Sequence, residues 1–159
     1  MKAEIKIVSL VIAGILGMEA NLALAIPVTD KQGDYPVPPV GARGNRHVHW
    51  LVVDSDSQGL NCRMAQRFRS FYVNAHNMPY ELFARNKHNV SQWPILTTFQ
   101  RGERLRAVNG NLNNQMTIAD IQGKPWLPIV TKQGHCFVRA NSRFVKPIRE
   151  DPTTSEPLE

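Results

Sequence analysis

The strongest constraint on this chain is a pair of cysteines, Cys62 and Cys136, placed behind an apparent export leader. Residues 1–25 have the three parts of such a leader. Lys2 and Lys6 give a positive start, and residues 7–18 are apolar except for Ser9. Ala23-Leu24-Ala25 then puts small residues at the two positions that a signal peptidase reads. A bilayer span takes about 20 apolar residues, so this run is expected to be cleaved rather than to anchor the chain. The mature protein is expected to begin at Ile26 and to be periplasmic or extracellular. Thiols oxidise in those compartments. The two cysteines, with one intramolecular pairing open to them, are therefore expected to form a disulfide.

The rest of the chain divides by composition. Residues 26–46 are rich in Pro and Gly and are expected to form an extended linker. Residues 47–149 are expected to form one folded domain. Residues 150–159, with four acids and two prolines, are expected to be a flexible acidic tail. Charge follows the same division. Residues 26–149 carry 17 Lys and Arg against seven Asp and Glu, and twelve of the bases are Arg. Outside the cytoplasm such a surface suits anionic envelope polymers: wall polymer, acidic polysaccharide or lipid headgroups. Nucleic acid is not expected there. The alternative is that the charge serves only solubility.

Within the domain the sequence reads as short strands. Residues 48–53 are apolar and β-branched. Residues 54–59 form a turn cluster, and 60–63 resume extended structure. Residues 63–93 mix bases, aromatics and amides without clean alternation; short helices are expected near 65–71 or 79–85. Further strands are expected at 95–99, 104–108, 116–121, 126–130, 136–139 and 144–148. Residues 104–108 alternate polar and apolar at period two. Pro128 places its strand on an edge or at a bulge. Many short strands between glycine and amide turns predict an all-β fold, a small barrel of five to six strands.

Four segments in this order resemble a bacterial SH3-like domain of the SH3b type. Leu60-Asn61-Cys62-Arg63 is similar to the opening Leu-Asn-x-Arg of that family. Residues 95–105 resemble its strand, Gly turn and next strand, and 123–129 its Gly-x-x-Trp strand. Residues 136–145 resemble its ending. The chain departs in three places. Cys62 replaces an apolar residue, Cys136-Phe137 replaces Gly-Trp, and the loop after the first motif grows to residues 64–93. The resemblance implies a barrel used for recognition, often of the cell wall. It also puts Cys62 and Cys136 on strands that pair. Closing a loop of about 75 residues by a disulfide is worth roughly 4 kcal/mol in the chain-entropy model.

Catalytic and metal chemistry would need more than these residues offer. A thiol nucleophile needs a histidine and an orienting group. The histidines are His47, His49, His76, His88 and His135, and a Cys62–Cys136 bond leaves no thiol. His47 and His49 share a strand face, but no carboxylate or cysteine cluster completes a metal site. No catalytic residue, metal or cofactor is expected. Trp126 is expected in the core, and Trp93 either packs or forms a platform. The candidate ligand-binding residues are Arg63, Arg67, Arg69, Tyr72, Arg85 and Trp93, where bases and aromatics suit sugars or polyanions. The alternative is that these aromatics anchor the long loop onto the domain. The sequence is thus read as a secreted, non-enzymatic recognition module for envelope polymers. The other reading is an exported structural or inhibitor-like protein docking on one envelope protein.

Overall fold

The computed structural model describes residues 27–37, 48–71, 86–108 and 117–148, with the side chains of 69–71 excepted. The expected leader and acidic tail lie outside these residues. The fold is all-β, built on one eight-stranded antiparallel sheet. The strands are β1 (His49–Val52), β2 (Leu60–Arg63), β3 (Ile95–Phe99), β4 (Arg104–Ala107), β5 (Ile118–Ala119), β6 (Pro125–Thr131), β7 (Gly134–Arg139) and β8 (Val145–Pro147). Their order is β3-β2-β7-β6-β4-β1-β8, with β5 paired to β6 off this path. The expected closed barrel of five to six strands is corrected in both respects: among the described residues the sheet has eight strands and does not close. Two 3-10 helices, Gln66–Phe71 and Val90–Gln92, are the helical elements among the described residues. The first stands where a short helix was expected; the candidate at 79–85 lies outside them.

Alternation explains the outer strands. Trp50 and Val52 of β1, Leu60 and Cys62 of β2, and Leu105 and Ala107 of β4 point into one core, while Arg104 and Arg106 face solvent. The central strands β6 and β7 lose the alternation because both their faces are covered. Leu127, Ile129, Cys136 and Val138 join the inner core. Phe137, on the other face of β7, is equally buried. Cys62 and Cys136 form the expected disulfide between adjacent strands, with Cα atoms 5.4 Å apart.

Pro128 lies in the middle of the sheet, not on an edge. Its C=O accepts from Val108 N, at the point where β6 stops pairing with β4 and begins pairing with β5. The missing N–H falls in the gap between two neighbours, so no ladder bond is lost.

Four turns share one chemistry. Asp30-Lys31-Gln32-Gly33, Asp56-Ser57-Gln58-Gly59 and Asp120-Ile121-Gln122-Gly123 each place Asp Oδ1 on the Gln backbone N–H, at 2.8–2.9 Å. In each, the Gly N–H donates to the Asp C=O at 2.9–3.0 Å, and the Gly φ is positive, 75–84°. Thr131-Lys132-Gln133-Gly134 repeats the side-chain bond with a hydroxyl acceptor. Asp folds the turn locally, and Gly takes the left-handed conformation. Gly59 has a second reason. A Cβ there would stand 2.7 Å from Phe99 O.

The expected linker is also corrected over its described part. Residues 27–37 form a strap across the end of the sheet. Asp34 bridges to Asn141, and Tyr35 N donates to Ala140 O. The Asp34 carboxylate accepts both Arg139 Nη2, at 2.7 Å, and Asn141 Nδ2. The Tyr35 ring packs edge-on to Trp50 at 4.9 Å, and its hydroxyl donates to Val145 O. Burying one aromatic ring gains about 2–3 kcal/mol, which offsets the ordering of a Pro/Gly-rich segment.

Burial pushes the Tyr35 phenol up to about 12. The folded state therefore holds this proton where the unfolded chain, at an ordinary 10, has lost it. Stability from Tyr35 is complete below pH 10 and is lost as pH rises toward 12. Denaturation from pH 9 to 12 should show this fall, and Tyr35→Phe should flatten it. An equal slope in the variant would place its origin elsewhere.

Candidate functional site

The described ends of the long insertion, residues 64–71 and 86–93, lie against the outer face of the sheet. The insertion leaves β2 at Met64, whose N–H donates to Pro94 O, and turns through the 3-10 helix Gln66–Phe71. The returning segment is tied at two points: Asn86 N donates to Ala119 O, and Ile121 N donates to His88 O. Trp93 then lies against Phe137 of β7, with ring centroids 5.8 Å apart. Phe68 and His88 complete the cluster, at 6.0 Å and 5.5 Å from Trp93 and 5.6 Å from each other.

This geometry assigns local work to several expected ligand residues. Arg63 donates to Trp93 O at 2.9 Å and so clamps the two ends of the insertion together. Arg67 is exposed, with its guanidinium 4.7 Å above the Phe68 ring and Nη2 3.3 Å from His88 Nδ1. In that contact the guanidinium donates and the imidazole nitrogen accepts. Trp93 is half-buried and packs as an anchor for the loop. The backbone of Arg69 lies in the 3-10 helix Gln66–Phe71; Tyr72 and Arg85 lie outside the described residues. The structure thus brings Arg63, Arg67 and Trp93 onto one side of the sheet.

A second basic surface was not expected. Arg104 and Arg106 are exposed at alternate positions of β4, and Lys146 is exposed on β8. Register joins them. Leu51 of β1 pairs with Arg104 on one side and with Lys146 on the other, and His49 pairs with Arg106. All of these positions share the face away from Trp50 and the core. None of the three permanent charges forms an ion pair among the described residues, where Arg139 with Asp34 is the one such pair. The nearest acid in sequence, Glu103, accepts Gln100 N at the β3–β4 turn. Two of these three charges were legible as Arg-x-Arg on an alternating strand. Lys146 joins only through the strand order.

Other chemistry finds less support. Cys62 and Cys136 are bonded to each other, and the chain has no free cysteine. Among the described residues no group of three His, Cys, Asp or Glu is arranged to hold a metal; His47 and His76 lie outside them. Burial lowers the pKa of His135 below 6.5 and favours its neutral form. A depression of about 440 Å³ lies beside the strap, lined by Val28, Asp30, Asp34, Tyr35 and Pro125 among others. Its Asp34 is already held by Arg139. Among the described residues no helix is long and apolar enough to cross a membrane. No family model, curated protein or solved structure matches the chain.

Proposed function

We propose that this protein is an exported, non-enzymatic recognition module of the bacterial SH3-like kind, and that it binds anionic envelope polymers. One observation carries the reading. Exposed bases on the described surface, Arg104, Arg106 and Lys146 among them, are not consumed by ion pairs there. Unneutralised charge of one sign projects a field that gathers polyanions. The disulfide and the lack of a membrane-crossing helix among the described residues are compatible with export.

Retention on anionic wall material across a salt series tests it. Exposed charges are screened within about 8 Å at physiological salt, so binding should fall steeply between 50 and 500 mM. A neutral glycan matrix should retain nothing. Retention that survives high salt would replace a polymer with a packed protein interface, and equal retention on the neutral matrix would remove charge from the recognition.

A further inference from the structure

We infer that the solvent face of β4, β1 and β8 is a docking surface for a linear polyol phosphate. In this assignment Arg104 and Arg106 hold consecutive phosphates and Lys146 holds a third. The inference rests on the polyanion reading above and narrows it to one surface and one polymer chemistry.

Spacing selects the polymer. Alternate residues of a strand lie six backbone bonds apart, about 7 Å. In a phosphodiester chain with a three-carbon spacer, the path P–O–C–C–C–O–P is also six bonds, again about 7 Å when extended. A polymer lying along β4 therefore meets Arg104 and Arg106 in step. Guanidinium suits this task, because its planar fork grips phosphate oxygens in a bidentate way. Lys146 lies two strands from Arg104, beyond Leu51, at about 10 Å. It offers a point charge to a neighbouring phosphate or an adjacent chain. Leu51 floors the space between them.

Single-stranded nucleic acid has the same six-bond spacing, but its bases seek aromatic platforms. The large hydrophobic residues exposed among those described are Val28, Ile95, Ile121 and Val130, none of them aromatic. The surface therefore fits a phosphodiester without bases.

The test is a titration of the oxidised protein with fluorescent poly(glycerol phosphate) between 25 and 200 mM salt. Each phosphate contact on a flexible chain contributes a slope of about −0.7 to log K against log salt. Three contacts should give a slope near −2. The triple variant Arg104→Gln, Arg106→Gln, Lys146→Gln should bind at least tenfold more weakly at 50 mM and lose most of that slope. A control of equal net charge, Lys31→Gln, Lys124→Gln, Arg143→Gln, should bind within about twofold of the wild type. Melting curves of both variants should match the wild type, since all six side chains are exposed. Equal weakening by the two variants would overturn the surface assignment and leave the polyanion reading intact. Failure of the wild type to bind any polyanion at 25 mM would overturn both. Tighter binding to single-stranded DNA of equal charge, or full competition by inorganic phosphate at equal phosphorus, would overturn the polymer assignment alone.

Discussion

Reduction of the Cys62–Cys136 disulfide should lower the melting temperature by roughly 20 °C. The bond joins residues 74 apart in sequence. Removing that link restores about 4 kcal/mol of loop freedom to the unfolded chain, and each kcal/mol moves the midpoint of a domain this size by about 5 °C. Both sulfurs belong to fully buried residues, so a reductant must wait for the sheet to open. Reduction should therefore be slow below the transition and fast within it. Calorimetry with and without a phosphine reductant, after one unfolding cycle, reads the effect. Cys62→Ala with Cys136→Ala should reproduce most of it. A shift under 5 °C would mean that the unfolded chain is already held compact by other contacts.

Asp120→Ala should cost about 2 kcal/mol, since the buried Trp126 indole N–H left without its acceptor loses about 1–3 kcal/mol. Asp120 is fully buried at the turn into β6. Its Oδ1 accepts Gln122 N at 2.8 Å and Lys124 N at 2.9 Å, and its Oδ2 accepts the Trp126 indole N–H at 2.9 Å. The two backbone donors sit in an exposed turn and recover water when it loosens. The indole, on a tryptophan only 5% exposed, does not. Asp120→Asn keeps one acceptor oxygen and should cost about half as much. In a double-mutant cycle with Trp126→Phe the two losses should fail to add, with a coupling of about 1 kcal/mol. Denaturant midpoints measure each. Simple additivity would show that the turn, and not the indole bond, is what Asp120 holds.

Much of the strand pattern was legible because it follows period-two burial. β2 and β3 match their expected bounds, and β1, β4, β6 and β7 shift by one or two residues. The segment at 116–121 reads as a strand by its apolar residues, but among those described only Ile118 and Ala119 pair. The disulfide was legible from the count of cysteines. Closure was not. Whether a curled sheet seals depends on long-range register, which no single strand encodes. Tyr35 was obscured by its setting, a lone ring in a Pro/Gly stretch, where composition argues for a linker and one buried contact decides otherwise. The expected ligand residues were chosen for mixed bases and aromatics. Those same properties let Arg63 and Trp93 fasten a loop, so residue type alone could not separate grip from display. The β4–β8 surface needed strand order, which sequence spacing does not carry.

The strap gives folding a direction in time. Tyr35 bonds to Val145 across 110 residues, and Arg139 reaches Asp34 across 105. These are among the most distant contacts in the chain, and their closure entropy must be met before they return anything. The strap cannot close until β7 and β8 exist. In a chain made from its N-terminus, the strap is then made early and is among the last segments to settle. Pro27, buried in the finished fold, lies two residues beyond Ala25. Until the C-terminal strands arrive, Pro27 and the rest of the strap stay uncovered; once they arrive, the fold buries Pro27 and Tyr35. The segment made first is thus the one whose burial waits for the segment made last.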